Sequence, residues 1–251
     1  MMRATHGLFA FGLVVVAGSL AAAQVPAGGG QPPQPMTNLQ ILPKDTPRPQ
    51  VLQTMQAITA ALGVQCNYCH VFEGRGGRND MASDEKPTKK AARGMMLLTR
   101  EINGKLPEAV GKSADAATRV GCATCHRGVP IPKQIADVVT DAAATGGAAA
   151  GLAKFKELRE KFYGGQSYDF SETGLLSVAQ RAIAANKADD ALAYLQANVE
   201  YYPKSSRTYV LMSQAHTTKQ DKAAAIKDLE KAVELDPANV QAKTQLENLK
   251  K

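Results

Sequence analysis

All four cysteines of this 251-residue chain lie in two Cys-x-x-Cys-His pentapeptides, Cys66-Asn67-Tyr68-Cys69-His70 and Cys122-Ala123-Thr124-Cys125-His126. Thiols three residues apart lie on one side of a helical turn, where each can add to one of a porphyrin's two vinyl groups, and the following His reaches the iron. Zinc is the bland competitor, because paired Cys-x-x-Cys motifs also build four-thiolate sites, but such pairs usually stand about 15–20 residues apart. Here residues 70–121 separate Cys69 from Cys122, and each pair has its own adjoining His. A thioredoxin-like dithiol would need one motif beside a βαβ pattern and would leave the duplication and both histidines unexplained. The pattern predicts two covalently bound haem c groups, one on Cys66 and Cys69, the other on Cys122 and Cys125. His70 and His126 are then the proximal iron ligands.

Arg3 precedes an apolar run from Gly7 to Leu20, followed by Ala21, Ala22, Ala23 and Gln24. Residues 1–23 therefore read as a secretory signal cleaved after Ala23, which places the chain in the periplasm. The run is shorter than the roughly 20 apolar residues of a membrane span, and an uncleaved N-terminal anchor is the alternative. Export fits the chemistry, since c-type haem is attached outside the bacterial inner membrane. Losing Arg3 takes the formal charge from +7 to +6, before the haem propionates offset part of it. That excess suits an acidic redox partner, while the lack of a Lys/Arg tract interleaved with aromatics argues against nucleic acid. Of the 4 histidines, His6 leaves with the signal and two are proximal ligands. Only His216 remains, so two bis-histidine haems cannot form within one chain.

Composition divides the rest. Residues 24–37 are a flexible leader containing the Gly/Pro/Gln tract Val25–Pro35. Residues 38–133 read as helices with short loops carrying both haems. In 134–165, the Ala/Gly/Thr stretch from Asp141 to Gly151 reads as a linker, followed by a basic helix over about Leu152–Phe162 and then Gly164-Gly165. Residues 166–251 repeat with a period of 34, pairing Ala191 with Ala225, Leu192 with Ile226, Leu195 with Leu229, Val199 with Val233 and Pro203 with Pro237. That is the tetratricopeptide period. Each unit would be a helical hairpin ended by its Pro, with Ala238–Lys251 as a solvating cap and a protein or peptide as ligand. An unrelated amphipathic bundle is the competing reading, because stacked arrays usually have three or more repeats. His216 falls within the second repeat's first helix and reads as packing or surface. The expected fold class is all-α: a helical multihaem cytochrome c domain followed by a small tetratricopeptide-repeat domain.

What fills each iron's second axial position decides between electron transfer and small-molecule chemistry. Val51, Leu52, Met55, Ile58 and Leu62 form one helical apolar stripe before the first motif, with Met55 at its middle. A second helix opens at Pro87, a residue suited to a first turn, and runs to about Asn103. On it Ala91, Met95, Leu98 and Ile102 share a face, whereas Met96 lies with Ala92, Thr99 and Asn103 on a more polar side. Met95 is the better ligand candidate by this face.

At these residues the chain resembles the N-terminal haem-pair half of the cytochrome subunit of bacterial photosynthetic reaction centres. The resemblance covers Asn38-Leu39-Gln40-Ile41-Leu42, Met55 through Cys66-Asn67-Tyr68-Cys69-His70-Val71, Ala82-Ser83-Asp84-Glu85-Lys86, Ala92-Arg93-Gly94-Met95 and Cys122-Ala123-Thr124-Cys125-His126-Arg127-Gly128, roughly residues 38–133. It implies a helix-borne Met as sixth ligand, giving His70/Met55 and His126/Met95 as axial pairs. The chain departs from the family in having two motifs where four are usual, no His between Val71 and Cys125, no lipid-anchoring Cys, and an added repeat domain.

Three functions follow as expectations. An electron carrier would use two His/Met haems to pass electrons between redox donor and acceptor proteins, a membrane complex among them, with the repeats docking the partner. A peroxidase-like enzyme would need one open iron with a polar group above it, and each iron here is offered a Met. A repeat scaffold with redox-sensing haems is the third. Aromatics make up 5% of the chain with no Trp, so the macrocycles would be the main hydrophobic mass of the haem domain, and its haem-free form would fold poorly.

Overall fold

The computed structural model describes residues 36–251; the segment expected as a signal and most of the expected leader lie outside the described residues. Nine helices run through this part: α1 Arg48–Leu62, α2 Pro87–Ala109, α3 Cys122–His126, α4 Ile135–Phe162, α5 Glu172–Ala184, α6 Ala188–Tyr201, α7 Ser206–Thr218, α8 Lys222–Leu235 and α9 Val240–Lys250. A two-residue antiparallel ladder, β1 Val71–Phe72 with β2 Asn79–Asp80, sets Val71 opposite Asp80. The all-α expectation holds.

Local chemistry explains the boundaries. α1 stops at Gly63, whose φ of 65° places it in the left-handed region, and the Val64 N–H closes the end on the Thr59 carbonyl at 3.1 Å. Pro87 opens α2, its missing N–H costing nothing in a first turn. Ser171, Ser205 and Asn239, spaced by 34, cap α5, α7 and α9 by accepting from the N–H of Thr173, Thr208 and Ala242.

These caps mark a repeating architecture. The starts at Glu172, Ser206 and Val240 are 34 residues apart, as are those of α6 at Ala188 and α8 at Lys222. Ala191, Leu195, Ala225 and Leu229 are fully buried in the seams of the resulting hairpins. Pro203 and Pro237 follow the ends of α6 and α8.

The stretch expected as a linker is helical. Alanine is the strongest helix former, and six of the residues 142–150 are Ala, so Asp141–Gly151 lies within α4. Only Gly146 (φ −142°) and Gly147 (φ 68°) depart from helical geometry. Along a straight helix Val139 and Gly151 would stand about 18 Å apart. Instead a Cβ placed on Gly151 would lie 3.1 Å from the Val139 carbonyl oxygen. The two glycines are therefore an elbow that folds α4 back on itself.

The apolar core lies on the C-terminal side. Val139, Phe155, Leu175 and Leu195 are the largest fully buried side chains of a cluster running from Ile135 to Ala215, and a second cluster joins Val210, Leu229, Ala232 and Ala242. Between residues 36 and 133 no comparable cluster forms among the described residues, and Leu52, Phe72, Met81, Met95, Leu97, Leu98 and Ile102 are exposed.

Candidate functional site

The two pentapeptides fold into short helical pieces. The first is a 3-10 turn, Cys66–Tyr68, continued by Cys69, and the second is α3. No disulfide joins the four cysteines; Cys66 and Cys125 are exposed, Cys69 and Cys122 half-buried. Burial is the main cause raising the Cys69 thiol above its ordinary range, opposed by the Thr88 hydroxyl and the charge of Lys86. Among the described residues, no three His, Cys, Asp or Glu side chains gather as a metal-ion ligand set.

The histidines share one arrangement. His70 Nδ1 lies 2.9 Å from the carbonyl oxygen of Met81, and His126 Nδ1 lies 3.0 Å from that of Val129. A carbonyl only accepts, so in each ring Nδ1 carries the proton, and Nε2 is left with its lone pair for a metal. Burial is the main cause holding His70 below the ordinary imidazole range, with Lys89, Arg93 and Lys86 acting in the same direction and the Met81 hydrogen bond against it. The neutral ring is the form that ligates.

The two carbonyl anchors are built differently. Val129 is reached within one tight return of the chain, through Arg127 (φ 49°) and Gly128 (φ 86°), with the Val129 N–H donating to the His126 carbonyl at 3.0 Å. Met81 lies beyond the β1–β2 ladder, in a loop that Lys89 of α2 holds by donating to the carbonyls of Met81, Ala82 and Ser83. Asp84 fastens this loop, with Arg93 at 2.9 Å and Lys89 at 3.3 Å; Asn38 and Gln40 donate to it from the other side.

α2 touches the first motif and the approach to the second. Near its start, Thr88 donates to the Tyr68 carbonyl at 2.5 Å and Lys86 to that of Asn67. Farther along, Asn103 grips Val120 at two points, donating to its carbonyl at 2.8 Å and accepting from its N–H at 2.7 Å, two residues before Cys122. Met95 lies between these grips, 45% exposed, on a face with exposed Ala91, Leu98 and Ile102, while Met96, Thr99 and Asn103 are half-buried. Met55 is half-buried on α1, between exposed Leu52 and half-buried Ile58. α1 also meets the second motif, the Gly128 N–H donating to the Ala61 carbonyl at 2.8 Å.

Two hollows adjoin the motifs. One of about 580 Å³ is lined by Cys66, Asn67, Val64 and Phe72; another of about 430 Å³ lies over Ala57, Ala60, Ala61 and Ala123 with Arg127 at its edge. Paired thiols, an imidazole oriented through Nδ1 and apolar side chains exposed in a region without its own core fit a flat, covalently attached haem. The sequence points to the cysteines and histidines, but not to the parts that orient them. Lys89 stood in a run of charges that normally reads as solvated surface. The carbonyls of Met81 and Val129 leave no trace in residue type. Asn103 had been placed only by its polar helix face.

Comparison with known proteins agrees with this chemistry. The model of the photosynthetic reaction centre cytochrome c subunit family matches residues 17–231, so the match runs well beyond residues 38–133 and into the helical hairpins. Cytochrome c-554 of Chloroflexus aurantiacus is 42% identical over 79 residues, which are 30% of this chain and 16% of that protein. The photosynthetic reaction center cytochrome c subunits of Rubrivivax gelatinosus and Thermochromatium tepidum are 40% identical over 70 residues (28% of this chain, 16% of theirs) and 39% over 98 (38% and 21%). The chain thus spans about a fifth or less of the length of these curated relatives. With more than half of its residues matched by the family model, the chain belongs to the photosynthetic reaction centre cytochrome c subunit family, whose cofactor is covalently bound c-type haem.

Proposed function

We propose that this chain is a periplasmic dihaem c-type cytochrome, an electron carrier and not an enzyme, exported by its N-terminal signal. One haem is held by Cys66 and Cys69 with His70/Met55 as axial pair, the other by Cys122 and Cys125 with His126/Met95. The observation that carries the reading is the repetition of one ligand-orienting device. In both motifs a backbone carbonyl holds Nδ1 and leaves Nε2 for iron, at 2.9 Å from Met81 and 3.0 Å from Val129. The haem irons supply the redox change; the protein orients the imidazoles and covers the macrocycles with apolar side chains.

The helical hairpins of α5–α8 are tetratricopeptide units in this reading, and they hold a protein or peptide partner while electrons pass between donor and acceptor proteins, one of which is a membrane complex. Among the described residues no helix is long and apolar enough to cross a membrane.

The test is the electronic spectrum of the purified exported protein, with haem quantified per chain. Two low-spin haems are expected, with a weak Met-to-iron charge-transfer band that is reduced by Met55→Ala and by Met95→Ala. A high-spin haem that binds carbon monoxide or reacts with peroxide would replace the carrier by an enzyme.

A further inference from the structure

Lys89 is one of two charged residues buried among the described residues, with 8% of its surface exposed. Its ammonium has three protons, and three carbonyls receive them: Met81 at 2.9 Å, Ala82 at 3.0 Å and Ser83 at 2.8 Å. The first is the oxygen on which His70 Nδ1 is held. One atom thus takes a hydrogen bond from the histidine and another from a buried cation. Asp84 compensates only partly, because its single carboxylate also faces Arg93. The second motif lacks this arrangement: among the described residues no lysine or arginine donates to the Val129 carbonyl that holds His126.

We propose that Lys89 is a positioning residue for the first haem, fixing the Met81 carbonyl that orients His70 and giving that haem a cationic contribution to its potential that the second lacks. The inference rests on the two-haem, His-ligated reading above. A carbonyl that already accepts from an ammonium polarises a further N–H less, so His70 keeps less anionic character and donates less to ferric iron. The charge itself also disfavours the more positive oxidation state. Both effects raise the potential.

The experiment is a potentiometric titration of the holoprotein and of two variants. Lys89→Met keeps the chain length and removes the charge; Asp84→Asn keeps the shape and removes the opposing charge. The two midpoints are assigned with Met55→His, whose ligand exchange lowers the first. The first haem's midpoint should fall in Lys89→Met and rise in Asp84→Asn, with the second unchanged in both. If Lys89→Met yields too little holoprotein, Lys89→Arg, which retains the charge and the midpoint, and Asp84→Asn decide the question. Shifts of the same sign in the Met and Asn variants would mean a loosened loop, and an unmoved first midpoint in a two-haem protein would mean no coupling; either overturns the proposal alone. A wild-type chain with one haem, or with haems not ligated by histidine, overturns the underlying reading as well.

Discussion

Gly63 and Gly128 meet backbone to backbone: a Cβ placed on Gly63 would lie 2.2 Å from the carbonyl oxygen of Gly128. The first closes α1 and the second follows the second Cys-x-x-Cys-His motif, so the end of the Met55 helix is seated against the turn that carries His126. Gly128 is tied in again by its N–H on Ala61, and the preceding Arg127 carbonyl accepts from Ser167 at 2.6 Å.

Gly63→Ala should therefore cost far more than its backbone conformation alone predicts. Gly111 is the control, with a φ of 63° close to the 65° of Gly63 and nothing near its missing side chain. Gly111→Ala should cost about 1–2 kcal/mol, the left-handed penalty for an L residue. Gly63→Ala should add roughly 1–3 kcal/mol because backbone must move to admit the methyl. Chemical denaturation of the holoprotein measures both, and equal losses would remove the contact from the account.

Asn103→Leu takes away both hydrogen bonds to Val120 and leaves a half-buried N–H and C=O without their partners, a loss of about 2–3 kcal/mol. Because Val120 leads into Cys122, haem occupancy should drop at the second motif and hold at the first. Peptide mass spectrometry reads the two occupancies separately; an equal drop at both would mean general misfolding.

Two carboxylates respond to acid in opposite senses. Hydrogen bonds from Arg93 and Asn38 hold Asp84 well below the usual carboxylate range. Its contribution is fully present above the unfolded value near 4 and fades as pH falls through the lower folded one. Burial pushes Asp228 upward despite His216 at 2.7 Å. Its favourable contribution belongs to the protonated form, is complete below about pH 4, and is lost as pH rises through the raised value. Asp228→Asn should thus leave the thermal midpoint at pH 7 unchanged or higher, while Asp84→Asn should lower it. A marked fall for Asp228→Asn would show that the ionised pair with His216 stabilises the fold.

The haem-free exported chain should be cut by protease first within residues 36–133 and survive longest within residues 135–249, where both core clusters lie. Limited proteolysis with mass readout decides it; a resistant N-terminal fragment would show that the haem region packs without its porphyrins.

Residue identity revealed what depends on particular atoms. Thiols that add to a porphyrin and imidazoles that ligate its iron have no common substitutes, so Cys66, Cys69, His70, Cys122, Cys125 and His126 stand out in the sequence as the candidate site. The 34-residue hairpin period was visible because Ala191, Leu195, Ala225 and Leu229 fill equivalent buried seams. Hidden from the sequence was everything the backbone supplies, including the Met81 and Val129 carbonyls and the meeting of Gly63 with Gly128. The Ala/Gly stretch was misread because glycine signals a linker, yet alanine outnumbered it and confined the break to Gly146 and Gly147.

α2 grips the first motif at Thr88 and the approach to the second at Asn103. The fifteen residue steps from Thr88 to Asn103 rise about 22 Å. The separation of Tyr68 from Val120 is thereby set by the pitch of one rod, while at their other ends the two motif regions are drawn together where Gly63 meets Gly128. A helix neither stretches nor coils as a loop does, so the hydrogen-bonded backbone of α2 serves as a ruler between these two points.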